Sequence, residues 1–131
     1  MIYSEREKQR MDNILAAFHT YIQSNPTFDI AYSEKVGYLW VQVNCFEETE
    51  PVVLHSVNEL LKALFYEMIC DEVYDARKEN SEVHRLTPAR KQKVQLKIMD
   101  ILMKMDSDAS YCLDYLDSYM KGPSYNFGFD D

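Results

Sequence analysis

Cys45 and His55 are the side chains best suited to form a nucleophilic centre, and they flank the acidic stretch Glu47-Glu48-Thr49-Glu50. A thiol beside an imidazole that a carboxylate orients is the outline of a cysteine nucleophile. It requires the segments on either side of the stretch to pair as strands. The plainer reading is an inert buried thiol and a polar histidine at a strand end, and only geometry can displace it. His19, His55 and His84 stand far apart in the chain, without the short spacings that make a metal motif specific, so no metal is expected. The three glycines, Gly37, Gly122 and Gly128, leave none for a phosphate-cradling loop. No nucleophile elbow, dinucleotide fingerprint or zinc-binding helix motif occurs either. Carboxylate pairs such as Asp114 with Asp117 and Glu72 with Asp75 are plentiful. Catalytic carboxylates, however, need a cleft that raises one pKa, which spacing does not supply. No cofactor is implied, and an enzyme built on Cys45 and His55 is the weaker class.

Charge placement is more informative. Residues 81–105 carry Arg85, Arg90, Lys91, Lys93, Lys97 and Lys104 against Glu82 and Asp100, in a chain whose formal net charge is -8. Arg90, Lys91 and Lys93 fall in the first turns of a helix, where the macrodipole favours acids. Asp71, Glu72 and Asp75 crowd the far end of the helix before it, the opposite violation. An antiparallel helix pair would set each against the other. The competing reading is an anion site in which helix N–H groups join Arg85, Arg90, Lys91 and Lys93 around a phosphate or carboxylate.

Aromatic placement points to an interface. Tyr111, Tyr115 and Tyr119 repeat every four residues and form one helical stripe, with Asp108, Asp114 and Asp117 interleaved. Tyrosine offers a large contact area with a polar tip, which suits both a core boundary and a partner surface. Tyr38 and Trp40 share the strand face opposite Leu39, Val41 and Val43, and the single tryptophan is expected inside.

Several elements must position these groups. Ser4 and Glu7 have the spacing of a capping box, and Met11, Ile14, Leu15, Phe18 and Ile22 mark one apolar stripe, which predicts a helix over 4–24 that Asn25-Pro26 ends. Residues 27–32 and 38–43 alternate as strands about a short polar turn containing Gly37, a hairpin pattern. Residues 51–55 form a third candidate strand. Ser56 and Glu59 open a long amphipathic helix that runs to residues 77–80. Thr87-Pro88 opens the next, which extends to about residue 105. A last helix follows Asp106-Ser107-Asp108 and is closed by Lys121-Gly122-Pro123. The predicted fold is α+β: an N-terminal helix, a three-stranded antiparallel sheet, then three helices packed on one sheet face. Residues 1–123 are read as a single domain, and 124–131 as a C-terminal tail.

At 131 residues, with 47% hydrophobic and 27% charged residues, the chain can bury a core without disulfides or metals. Three cysteines at wide spacing do not form a disulfide framework. No signal-peptide pattern or long apolar run occurs, which predicts a cytoplasmic protein without a membrane partner and fits a bacterial or phage source. The strongly acidic balance opposes bulk attraction to nucleic acid. The expected function is therefore a small, acidic, non-enzymatic interaction or regulatory protein. It would bind a basic partner protein, or associate with itself, through Tyr111, Tyr115, Tyr119, Asp108, Asp114 and Asp117. The alternative is a nucleic-acid-binding regulator that uses the basic segment 85–97.

Overall fold

The computed structural model describes residues 2–43 and 49–122. Cys45, the acidic residues 47 and 48, Pro123 and the tail 124–131 lie outside the described residues. In chain order the elements are α1 (Glu5–Ala17), α2 (His19–Ser24), β1 (Phe28–Ser33), β2 (Gly37–Gln42), β3 (Val52–Val53), α3 (Val57–Glu79), α4 (Pro88–Leu102) and α5 (Ala109–Met120). The architecture is α+β in the order read from the sequence. The chain forms two compact units, Met1–Leu60 and Leu61–Asp131, with α3 running through the boundary.

The first unit begins with a capped helix. Ser4 Oγ accepts from the Glu7 N–H at 3.0 Å, the N-cap bond that its position predicts. The Glu7 carboxylate serves a different helix: its Oε2 accepts from the Val57 N–H at 3.3 Å, at the start of α3. Met11, Ile14 and Phe18 are fully buried, as the stripe requires. The single helix expected over 4–24 is interrupted at Phe18, whose backbone (φ -89°, ψ 4°) leaves helical geometry and divides α1 from α2. Neither proline nor glycine marks that point, so periodicity carries straight through it. After Pro26, Asn25 Oδ1 accepts from both the N–H and the hydroxyl of Thr27, at 2.9 and 2.6 Å. This turn leads the chain into β1.

The sheet order is β1-β2-β3, antiparallel throughout. Phe28 stands opposite Gln42, Ile30 opposite Trp40, and Tyr32 opposite Tyr38. Directly opposed residues share a face, so the aromatic residues of both strands gather on one side, and Leu39 and Val41 lie on the other. Phe28 and Trp40 stack with ring centroids 4.0 Å apart, and both are buried. Helices α1 and α2 meet this aromatic face. Tyr3 stacks on Tyr38 at 6.3 Å, and Tyr21 meets Phe28 at 6.1 Å.

The third strand is shorter than residues 51–55, and Tyr3 supplies the reason. Leu54 N–H donates to the Tyr38 carbonyl at 2.9 Å, as a continuing ladder would have it. The reciprocal bond is taken over by a side chain. Tyr38 N–H donates to the Tyr3 hydroxyl at 2.9 Å, and that hydroxyl donates to the Leu54 carbonyl at 2.5 Å. The inserted oxygen holds the two backbones apart and ends the ladder. Gly37 makes room for it. Its φ of +91° closes the three-residue turn over 34–36, and a Cβ there would fall 2.6 Å from Tyr3 Cζ.

In the second unit α3, α4 and α5 bury Leu64, Phe65, Ile69, Val73, Val94, Ile98, Leu102, Cys112 and Leu116. Thr87 Oγ1 accepts from the Arg90 N–H at 3.2 Å, with Pro88 in the first turn, as expected. Helix α4 stops at Leu102, three residues early. Asp108 then takes a left-handed backbone (φ 67°), which aspartate tolerates better than most residues, and α5 begins.

Gly37→Ala tests the packing of Tyr3 on the hairpin. The variant must accept both an unfavourable φ and a clash with the tyrosine ring. It should lose about 2–3 kcal/mol in denaturant unfolding; a change within experimental error would contradict this account.

Candidate functional site

A cleft of about 830 Å³ opens where α1 crosses the hairpin, lined by Ile2, Tyr3, Glu5, Lys8, Gln9, Asp12, Tyr32 and Glu34. The N-cap at Ser4 sets the phase of α1, and Lys8 and Asp12 then fall one turn apart on the face turned to the sheet. The hairpin register places Tyr32 against Tyr38, ring centroids 4.9 Å apart. The Tyr38 hydroxyl donates to Asp12 Oδ1 in a short hydrogen bond. Lys8 Nζ donates to both Asp12 oxygens, at 3.2 and 3.0 Å, and approaches the Tyr38 hydroxyl at 3.5 Å. The same ammonium lies 4.9 Å from the Tyr32 ring centroid and 5.4 Å from that of Tyr38, within cation–π range.

Ionisation follows from these contacts. Burial, reinforced by the hydrogen bond to Asp12, pushes the Tyr38 phenol up to about 12. The hydrogen bonds that Lys8 donates to Asp12 raise its pKa above the usual value, which keeps it a cation. Burial also raises Tyr3. A phenol that titrates near 12 is a poor general base at neutral pH. Among the described residues, three carboxylates, Glu5, Asp12 and Glu34, and one cation, Lys8, line the cleft.

The predicted nucleophile pair cannot be assembled here, because Cys45 lies outside the described residues; His55 is exposed. Cys70 and Cys112 are free thiols. Burial first, then the nearby Glu67 charge, pushes the Cys70 thiol up to about 11, which suppresses the reactive thiolate. His19 is exposed on α2 and His84 is exposed in the connection between α3 and α4, where its Nδ1 lies 3.2 Å from the Arg77 guanidinium.

The basic segment is organised by a buried acid. Glu72, 2% exposed, receives Arg90 at 2.5 Å, with Lys93 at 3.5 Å and Lys97 at 3.9 Å. The second arm of Arg90 reaches Glu79 at 2.8 Å. The acidic end of α3 thus lies beside the basic start of α4, the arrangement that balances both departures from the macrodipole preference. Arg90 and Lys93 therefore face a carboxylate of their own chain. Arg85 is exposed and Lys91 half-buried.

The tyrosine stripe of α5 divides. Tyr119 is buried, and Tyr115 is half-buried, packed 5.9 Å from Phe65, with Tyr119 at 5.8 Å from the same ring. Burial raises both phenols. Tyr111 is half-buried. Asp108 occupies the N-cap of α5, and Asp114 and Asp117 are exposed, the latter paired with Lys121 at 2.8 Å.

The cleft residues Tyr3, Lys8, Asp12 and Tyr32 were not singled out from the sequence. Two signals for them exist: the i,i+4 spacing of Lys8 and Asp12, and the hairpin register that must oppose Tyr32 and Tyr38. Among the described residues no group of three or more histidines, cysteines and carboxylates is placed to hold a metal ion. No described helix is long and apolar enough to cross a membrane. Comparison with protein-family models, with curated proteins and with solved structures gave no match.

The phenol of Tyr38 gives a direct check on the cleft. Its folded pKa stands above the ordinary 10, so its protonation favours the folded state below pH 10, and that contribution is lost as pH rises toward 12. A tyrosinate absorbance titration of the wild type minus that of Tyr38→Phe should show one phenol with a midpoint near 12. A midpoint at 10 would contradict the hydrogen-bonded, sheltered geometry.

Proposed function

We propose that this chain is a small acidic interaction protein that engages a basic segment of a partner protein, with the cleft of α1 and the hairpin as its contact surface. The observation that carries the reading is the composition of the cleft: its described lining combines tyrosines, three carboxylates and one lysine, and Tyr32 is 49% exposed. Aromatic faces and carboxylates together recognise ammonium and guanidinium groups. The formal net charge of -8 adds long-range attraction for a basic partner and repulsion between two copies. Arg90, the central cation of the basic segment, is engaged by Glu72 and Glu79, which makes a phosphate backbone the less suitable ligand. The free thiols Cys70 and Cys112 fit a reducing, cytoplasmic setting.

The test uses a fluorescent oligolysine peptide and measures anisotropy across a salt series. Binding should weaken as salt rises, and Tyr32→Ala and Glu34→Gln should each weaken it about fivefold. Loss of binding in Asp114→Asn and Asp117→Asn, with the cleft variants unchanged, would move the contact surface to α5 and overturn the cleft.

A further inference from the structure

We propose that Lys8 is an internal stand-in for the ligand: its ammonium fills a cage suited to a lysine side chain, and a partner's lysine binds by taking its place. This rests on the cleft being the contact surface. The groups around Lys8 Nζ are those that recognise an ammonium: two carboxylate oxygens at 3.0 and 3.2 Å, a phenol oxygen at 3.5 Å, and two aromatic faces at 4.9 and 5.4 Å. They come from α1, β1 and β2, and each also has a contact besides Lys8. The Tyr38 hydroxyl is held by Asp12 directly, and Tyr32 is set against Tyr38 by the strand register.

The occupant is weakly retained. The Lys8 side chain is 36% exposed, its carboxylate partner 43%, and an ion pair one turn apart on a helix surface contributes little. When released, the Lys8 ammonium has Glu5 on the preceding turn of the same helix, so no charge is stranded by the exchange. The incoming lysine recovers the same contacts on a flexible stem, with Glu34 at the cleft to meet a neighbouring cation of the basic segment. Lys8 thereby acts as a built-in competitor that lowers affinity for any partner and keeps exchange fast.

The experiment compares oligolysine binding by the wild type, Lys8→Ala and Lys35→Ala. Lys35 is exposed in the hairpin turn, so both variants make the same change of charge in the same unit, and only the first empties the cage. Lys8→Ala should tighten binding about threefold and Lys35→Ala by less than about 1.5-fold. Lys8→Met, which keeps the apolar stem, should behave as Lys8→Ala and guards against a folding defect in the shorter variant. Equal tightening by Lys8→Ala and Lys35→Ala would reduce the effect to net charge and overturn the exchange. So would unchanged or weaker binding by both Lys8 variants, while the effect of Tyr32→Ala would still stand for the cleft. Absence of oligolysine binding in every protein would overturn the cleft and the exchange together.

Discussion

One hydroxyl group positions the first unit. A regular antiparallel ladder would join Tyr38 and Leu54 by two direct backbone bonds. One is present, and the other passes through the Tyr3 oxygen, which accepts from Tyr38 N–H and donates to the Leu54 carbonyl. A phenol can do both at once, and few other side chains can do so at that reach. The insertion ties the residue just ahead of α1 to the sheet, which fixes where the helix starts and which face it turns to the hairpin. Lys8 and Asp12 are then carried over the Tyr32–Tyr38 pair by helical geometry alone. The same insertion ends β3 after two residues and demands a residue without a side chain at Gly37.

The second unit is arranged around an acid. Glu72 is nearly inaccessible, yet three cations of α4 converge on it. A buried carboxylate without such partners would be costly, and surrounded by them it fixes how the two helices align. The charge pattern that looks irregular along the sequence becomes regular once α3 and α4 run antiparallel. Charge is used differently in the two units: it is internally compensated at Glu72 and left in excess at the cleft.

Much of this was legible in the sequence, for reasons that differ by element. The helix starts at Ser4, Ser56 and Thr87 are local events, each a side-chain oxygen reaching the N–H three residues on, so residue type and spacing suffice. The burial of Trp40 and the compensation of the α3 and α4 charges also followed from pattern. What stayed hidden is non-local. Nothing in residues 1–10 announces that Tyr3 will enter a ladder around residues 38 and 54, and so neither the short β3 nor the cleft between α1 and the hairpin was visible. The break at Phe18 carries no helix-breaking residue. The tyrosine stripe of α5 read equally well as core or surface, and the partition among Tyr111, Tyr115 and Tyr119 depends on where Phe65 sits.

The resulting view is of an acidic protein whose own lysine rests on the aromatic surface that a partner's lysine would seek. Affinity would come from aromatic faces and carboxylates held rigid by the Tyr3 bridge, and encounter rate from the surplus negative charge. The most direct test is an NMR titration of the isotopically labelled chain with an oligolysine peptide, following every backbone amide. The account predicts that the largest shifts fall together on residues 5–12 and 32–38. Shifts centred on Asp114 and Asp117, or spread evenly over all acidic residues, would contradict it.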